Sequence, residues 1–175
     1  MSKLLALGVL LGFFAVGAVA QPVQEVEPNN SFDTAQFLPD DFFDGYGAGA
    51  VEGHLGIGDL DYYAVYLPAD VLFTAAVYDF TPDEPYDNDS IMGIFYPSGA
   101  LFDYNDDGFD EGYMSAMDFI VPEAGWWRVA LTGYPDYDFE GDHSEDFDYR
   151  LVMSIPEPAT ISLLLVGLGA LVRRR

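Results

Sequence analysis

The 175-residue chain has no cysteine and few basic residues. Without cysteine there is no disulfide, no thiolate metal ligand and no cysteine nucleophile. Four of the six basic residues lie near the chain ends, so the stretch from Gln21 to Ile155 holds 29 acidic residues against two basic ones, a formal charge of −27. A body with this charge repels phosphate backbones and anionic lipid surfaces, which excludes a nucleic-acid partner. The same self-repulsion favours bound cations.

Histidine occurs only at His54 and His143. His54 lies in a strand-like run and is interpreted as a satisfied sheet residue. His143 stands beside Ser144 in an acidic stretch, but a catalytic triad needs a rigid scaffold and an oxyanion hole. We therefore predict no catalytic residue. The alternative is a secreted hydrolase, glycosidase or peptidase-like, that uses one pair among the many carboxylates.

The N-terminus has the pattern of a secretory signal peptide over residues 1–20. Lys3 supplies the positive start, an apolar run follows, and Ala18 and Ala20 give the small-x-small pattern that signal peptidase requires. The sequence predicts cleavage after Ala20. A retained N-terminal anchor is disfavoured because the apolar run is short for a membrane-spanning helix.

The C-terminal segment, residues 156–175, combines two prolines, fourteen uncharged residues and three terminal arginines. The uncharged run reaches roughly 21 Å as a helix, short of the ~30 Å hydrocarbon core unless the arginines snorkel. The arginines predict a cytoplasmic C-terminus with the acidic body outside. The prolines break helix and sheet, so they favour an extended segment that a processing enzyme can reach.

This Pro-Glu-Pro-Ala-Thr segment, with its short apolar helix and arginine cluster, resembles the PEP-CTERM sorting signal. The resemblance implies that an exosortase of the inner membrane cuts at Pro-Glu-Pro. The protein would then cross the inner membrane of a Gram-negative bacterium, sit in it transiently through this helix, and reach the cell surface or extracellular matrix. An unprocessed tail anchor is the alternative. The predicted sorting and processing residues are Ala18, Ala20, Pro156, Glu157, Pro158, Arg173, Arg174 and Arg175.

Residues 21–155 are long enough for one hydrophobic core. Runs with period-two alternation end at Gly, Pro, Asp or Asn, which predicts an all-β antiparallel sandwich of about eight strands. The predicted strands are Ala50 to Leu55, Tyr62 to Leu67, Val71 to Phe80, Ser90 to Tyr96, Ala100 to Tyr104, Met114 to Val121, Trp126 to Gly133 and Tyr149 to Ile155.

The order of motifs in this stretch resembles the bacterial pre-peptidase C-terminal (PPC) domain. That family implies a jelly-roll-like β-sandwich that binds ligands or assists secretion rather than catalysing. The motifs are Glu27-Pro28-Asn29-Asn30-Ser31, Gly53-His54-Leu55, Asp59-Leu60-Asp61-Tyr62-Tyr63, Asn88-Asp89-Ser90, Tyr96-Pro97-Ser98-Gly99, Asn105-Asp106-Asp107, Gly125-Trp126-Trp127 and Tyr149-Arg150-Leu151.

Three acidic groups are candidate Ca²⁺ sites, since Ca²⁺ takes six to eight oxygen ligands. In the first group, Glu25 and Glu27 point the same way in an extended segment, and Pro28 turns the chain so that the asparagines present oxygens nearby. Calcium-binding PPC relatives use such a segment together with an Asp-x-Asp turn. The first predicted ligand set is Glu25, Glu27, Asn29, Asn30, Asp59 and Asp61. The alternative is a capped turn with solvated acids.

The second group matches the first six positions of an EF-hand loop, but Met114 stands where the bidentate Glu belongs. Its predicted ligands are Asp103, Asn105 and Asp107, and a plain hairpin turn is the alternative. The third group, seven acids between Asp136 and Asp148, is interpreted as a solvated or diffusely cation-bound loop.

Trp126, Tyr62 and Tyr66 are predicted to stack on sugar rings if they face outward, with packing in the sandwich as the alternative. Together these patterns predict a secreted, exosortase-processed β-sandwich that acts as a non-catalytic, calcium-stabilised binding or structural module. Its predicted partners are signal peptidase and exosortase during processing, and an exopolysaccharide or matrix protein afterwards.

Overall fold

The computed structural model describes residues 21–45, 47–79, 88–108 and 113–155. These residues form a β-sandwich of two five-stranded sheets, with no helix among them. The strands are β1 (Val23–Gln24), β2 (Gln36–Phe37), β3 (Ala48–Leu55), β4 (Asp61–Leu67), β5 (Leu72–Asp79), β6 (Ser90–Phe95), β7 (Leu101–Asn105), β8 (Ala116–Ile120), β9 (Gly125–Gly133) and β10 (Phe147–Ser154).

The first sheet has the order β1-β3-β10-β5-β8, and the second has the order β2-β4-β9-β6-β7. The all-β sandwich predicted from the sequence is confirmed, and the eight predicted strands correspond to β3 through β10. Both sheets are mixed rather than antiparallel, because β1 pairs with β3 and β2 pairs with β4 in parallel. These two edge strands were not predicted, since two residues carry no periodicity.

The main core lies between the sheets and follows the predicted alternation. On β4 and β9, Tyr63, Val65, Trp127 and Val129 point inward and are buried. They pack against inward residues of the first sheet such as Tyr149, which is also fully buried. Strands with one apolar face therefore bury that face against the partner sheet.

The other face of the second sheet is also partly covered. Phe139, from the loop that we call the acidic loop (residues 134–146), is buried against Tyr62, Ala64 and Ile91 in a second apolar cluster. Gly93 provides the space, since a Cβ atom there would lie 2.4 Å from Phe139 Cζ. The expectation of a solvated loop is therefore wrong for its centre, because one aromatic side chain anchors it to the sheet.

Asp136 holds the same loop in place. Its side chain is buried and accepts hydrogen bonds from the Thr132 hydroxyl (2.7 Å) and from the backbone amides of Glu140 (3.0 Å) and Gly141 (2.9 Å). Burial alone would raise the pKa of Asp136, but these donors outweigh it and hold the pKa below its ordinary value. Asp136 is thus an internal acceptor of the loop and not one of its solvated acids.

Candidate metal centre

Three carboxylates meet at one end of the sandwich, and we call them the carboxylate cluster: Glu25, Glu27 and Asp61. One oxygen from each lies within 4.8 Å of the others. Glu25 directly follows β1, Glu27 lies two residues further along, and Asp61 is the first residue of β4. Glu25 and Glu27 share a side of the extended segment because successive side chains alternate. The cluster brings together three of the six residues of the first predicted ligand set.

Asp61 is the buried member of the cluster, with 0% of its surface exposed. Its Oδ2 accepts a hydrogen bond from the Tyr149 hydroxyl at 2.8 Å, whereas its Oδ1 is buried without a partner among the described residues. Burial, followed by the close approach and the charge of Glu25, raises the pKa of Asp61 to about 10. Burial and the neighbouring glutamate therefore both disfavour ionisation of Asp61.

Asn29 presents a second buried oxygen to the same place. Its backbone amide donates to Glu27 Oε2 at 2.8 Å, and its Nδ2 donates to Glu25 Oε1 at 3.1 Å. These bonds orient the carboxamide and leave Oδ1 fully buried without a partner within the described part of the chain. A carboxylate oxygen and an amide oxygen, both orphaned beside two further carboxylates, match the donors that Ca²⁺ takes.

A shell of donors fixes Glu25. The backbone amide of His54 donates to Glu25 Oε2 at 2.8 Å, and the Tyr63 hydroxyl donates to Oε1 at 3.0 Å. The Tyr63 and Tyr149 hydroxyl oxygens also lie in direct contact with each other. Gly53 allows this close packing, because a Cβ atom there would lie 2.5 Å from the Tyr149 hydroxyl and 2.8 Å from Glu25 Oε2. Such outer partners orient metal ligands.

The sequence did not identify this shell as part of the site. Tyr149 is 88 residues from Asp61, and no spacing rule links them. The Gly53-His54-Leu55, Asp59-Leu60-Asp61-Tyr62-Tyr63 and Tyr149-Arg150-Leu151 motifs include the shell residues, but they pointed to a family and assigned these residues no role in the site.

Asn30 and Asp59, which were also predicted as ligands, contact each other beside the carboxylate cluster. Asn30 Nδ2 bonds to Asp59 Oδ1, which also accepts the backbone amide of Leu60 at 2.9 Å. Burial raises the pKa of Glu27, the Asn29 amide lowers it, and the charges of Asp59 and Glu25 raise it, with a net increase. Asp59 is therefore an electrostatic neighbour of the cluster but not one of the carboxylates within 4.8 Å of each other.

The second predicted site is arranged as a turn. Asn105 Nδ2 donates to the backbone carbonyls of Asp107 and Ala116, at 2.7 Å each, and Asn105 Oδ1 accepts the Asp107 amide at 3.3 Å. Asp103 Oδ1 accepts the amide of the adjacent Tyr104 at 3.0 Å. Asp103 and Asp107 belong to no group of three closely spaced carboxylates or imidazoles in the described ranges. The hydrogen bond from Asn105 to Ala116 thus links the end of β7 to the start of β8.

The two histidines make structural contacts. His143 Nε2 bonds to the backbone carbonyl of Asp59 at 2.8 Å, and its Nδ1 accepts the Glu145 amide at 3.2 Å. Both ring nitrogens are therefore used, and the acidic loop is tied to the turn that carries Asp59. The exposed His54 lies on β3 with its ring between Asp148 (2.8 Å) and Asp146 (3.1 Å).

The three predicted stacking residues have different surroundings. Tyr62 is buried and its ring packs on Phe95, so it is not available to a sugar, which corrects that expectation. Tyr66 is exposed and contacts Trp126 edge to face, with ring centroids 5.8 Å apart. Trp126 is half-buried between Tyr66 and Phe37. Stacking by Tyr66 and Trp126 stays a prediction.

The predicted sorting residues lie outside the described part of the chain: Ala18, Ala20, Pro156, Glu157, Pro158, Arg173, Arg174 and Arg175. The predicted signal peptide and C-terminal helix lie there too. Within the residues that the structure describes, no helix has the length and apolar character needed to cross a bilayer.

Comparison with known proteins gives one sequence match and a set of fold likenesses. No curated protein matches the sequence. The solved structures that resemble it include the periplasmic inhibitor of g-type lysozyme, PliG, from Aeromonas hydrophila, at 15% identity and a TM-score of 0.49, covering 69% of this chain and 96% of that one. PliG of Salmonella Typhimurium has 13% identity and a TM-score of 0.46, with coverages of 69% and 98%.

A third likeness is to CorA of Methylomicrobium album BG8, described as a surface-associated copper-binding protein, at 11% identity and a TM-score of 0.41, covering 70% of this chain and 98% of that one. These values carry no functional argument. The model of the PEP-CTERM protein-sorting motif matches residues 154–175. The chain therefore carries a PEP-CTERM sorting motif, which implies processing by an exosortase and secretion to the surface or extracellular space of a Gram-negative bacterium.

Proposed function

We propose that residues 21–155 form a non-catalytic binding or structural module of the cell surface or extracellular matrix, stabilised by one Ca²⁺ ion at the carboxylate cluster. The observation that carries the proposal is the pair of orphaned oxygens, Asp61 Oδ1 and Asn29 Oδ1, buried beside Glu25 and Glu27. Buried polar atoms without partners are rare in folded proteins and call for an explanation. A hard cation with oxygen ligands explains both at once.

Charge supports the same ion. The stretch from Gln21 to Ile155 has a formal charge of −27, and part of the repulsion is concentrated where Glu25, Glu27 and Asp59 approach the buried Asp61. A divalent cation that binds only the folded cluster offsets this repulsion and stabilises the fold by mass action. Mg²⁺ is smaller, prefers to keep its waters, and fits such a cage less well than Ca²⁺.

The proposed kinship with PPC domains rests on the order of motifs and on this cluster. On this proposal, the Glu25-to-Asn30 segment and the turn before β4 have the role that they have in calcium-binding relatives. The sorting motif at residues 154–175 supports an extracellular setting for the module. We propose a polysaccharide or protein component of the matrix as the lasting partner, to be identified by what co-purifies with the processed protein.

The hydrolase alternative gains no specific support within the described ranges. The cluster is the one group of three closely spaced carboxylates among the described residues, and its member Asp61 has no exposed surface with which to reach a substrate. His143 uses both ring nitrogens for bonds to the backbone of Asp59 and Glu145. A general acid or base must lie within hydrogen-bonding reach of the proton that it moves.

The test is the melting temperature of the secreted protein in Ca²⁺ and in Mg²⁺ at equal ionic strength. At a hundred times its dissociation constant, Ca²⁺ adds ~2.7 kcal/mol, which raises the melting temperature by roughly 5–10 °C. We expect Asp61→Asn to abolish this increment. Asp118→Asn, the same substitution on the exposed face of β8, is the matched control and keeps it. Equal melting temperatures in the two ions, or an undiminished increment in Asp61→Asn, would contradict the proposal.

A further inference from the structure

A groove lies where the end of β4 pairs with the start of β9, and we call it the edge groove. Its volume is about 350 Å³, and its wall combines aliphatic and proline side chains, aromatic rings and one carboxylate, Asp40. Two of the rings, Tyr66 and Trp126, contact each other with their planes inclined at 72° and their centroids 5.8 Å apart. The two rings therefore form a corner rather than a flat surface.

The charges around the edge groove favour a positively charged occupant. Asp40 is the one charged group of the described wall, and it belongs to a stretch, Gln21 to Ile155, with a formal charge of −27. Both basic residues of that stretch are held elsewhere, since Arg128 lies over the Phe37 ring at 5.1 Å and Arg150 pairs with a glutamate of β3. The faces of aromatic rings also attract cations.

A lysine side chain matches every part of this wall. Its four-carbon stem packs on apolar groups such as Val65 and Pro68, and its ammonium group contacts the rings and donates to Asp40. A sugar ring, by contrast, stacks on an aromatic face, and two rings inclined at 72° share no such face. The acidic body also accelerates the approach of a basic partner.

We propose that the edge groove binds a lysine side chain of a basic protein partner, with the ammonium group held by Asp40 and by the rings of Tyr66 and Trp126. The proposal narrows the lasting matrix partner to a protein, and it rests on the proposed function only for the binding role of the module. It does not depend on the calcium site, because no residue of the carboxylate cluster lines the groove.

Trp126 is a built-in reporter of the edge groove, because the chain has two tryptophans and the other, Trp127, is fully buried in the core. The indole N–H signals of the processed, secreted protein are followed by nuclear magnetic resonance, and Trp126→Phe assigns them. The probe is a lysine capped by acetyl and methylamide groups, and its control is capped norleucine, which lacks the ammonium group. At constant ionic strength, we expect about fivefold tighter binding of the lysine probe.

Matched variants separate the groove from the general charge. Asp40→Asn should bring the lysine affinity to within twofold of the norleucine affinity, whereas Asp41→Asn, at an exposed residue outside the wall, should keep the preference. Tyr66→Leu should weaken lysine binding about threefold, and Tyr78→Leu, similarly exposed on β5, should not. Both asparagine variants should keep the calcium-dependent rise in melting temperature, so a failure here is distinct from a failure of the calcium site.

Two results would overturn the proposal. The first is equal affinity of the wild type for the two capped amino acids, or equal losses of lysine affinity in the Asp40→Asn and Asp41→Asn variants. The second is a shift of the Trp126 signal by a neutral glucan oligosaccharide at lower concentrations than the lysine probe requires, which would assign the groove to a sugar.

Discussion

Asp136 is the carboxylate whose contribution to stability can be worked out most directly from its contacts. Replacing it with Asn keeps its shape but turns one oxygen into an amide group. If the remaining oxygen keeps the Thr132 and Gly141 donors, the new amide faces the Glu140 amide, donor against donor. One charge-assisted bond is lost and two are weakened, at a combined cost of about 3 kcal/mol. For a domain of this size that lowers the melting temperature by roughly 6–12 °C.

The matched control is Asp138→Asn, two residues along the same loop, where the side chain is exposed. Both substitutions remove one negative charge, so relief of the general repulsion cancels between them. We expect the control to lie within ~0.5 kcal/mol of the wild type. Thermal unfolding followed by circular dichroism measures both, and shifts of equal size in the two variants would refute the assigned role of Asp136.

The dependence on pH follows from the same contacts. The folded state holds the pKa of Asp136 below its ordinary value, so the folded state favours the ionised carboxylate. Its stabilisation is complete above the unfolded pKa and is lost as pH falls through the lower folded pKa. The stability difference between wild type and Asp136→Asn should therefore be constant above about pH 5 and shrink at pH values below the unfolded pKa. A difference that grows on acidification contradicts this sign.

Three other outcomes follow. Gly53→Ala forces the Tyr149 hydroxyl and Glu25 apart, so calorimetry should show a calcium affinity lower by about tenfold. The control is Gly45→Ala, whose added methyl group has nothing within 4 Å, and it should leave the calcium affinity unchanged. His143→Ala removes two bonds and lowers stability by about 1–2 kcal/mol, while the protein shows no peptidase or glycosidase turnover before or after the change; activity abolished by this substitution would overturn the non-catalytic proposal. Intact-mass analysis of the mature surface protein should show that Ala159 to Arg175 has been removed, and a retained tail would contradict processing at the motif.

Sequence reasoning predicted what depends on local periodicity. The alternation of Tyr63 and Val65 with Tyr62 and Ala64 identified β4 and its two faces, and the spacing of Glu25 and Glu27 identified one wall of the candidate site. These features depend on neighbours two residues apart. The same alternation gave no reason to place Tyr62 under a loop, because that loop begins more than 70 residues later in the chain.

The acidic loop shows why the remaining features were missed. Its acid content predicts solvation, yet two of its residues decide its position. The Phe139 ring packs against the sheet because β6 has a glycine, Gly93, at that point. The Asp136 carboxylate accepts hydrogen bonds from the backbone amides four and five residues further along the chain. Both effects require knowing which distant strand lies beneath the loop, and no window of the sequence contains that information.

The two shortest strands, β1 and β2, affect how readily copies of the protein associate edge to edge at high concentration. β3 and β4 are eight and seven residues long, and each would offer a row of unpaired backbone groups at a sheet margin if β1 and β2 were absent. A sheet margin of that kind is a template for pairing between molecules and for fibre growth. The two-residue strands β1 and β2 pair with part of each margin, so a second molecule cannot pair along its whole length. Loss of residues 21–24 would uncover β3 and is expected to increase pairing between molecules along that margin.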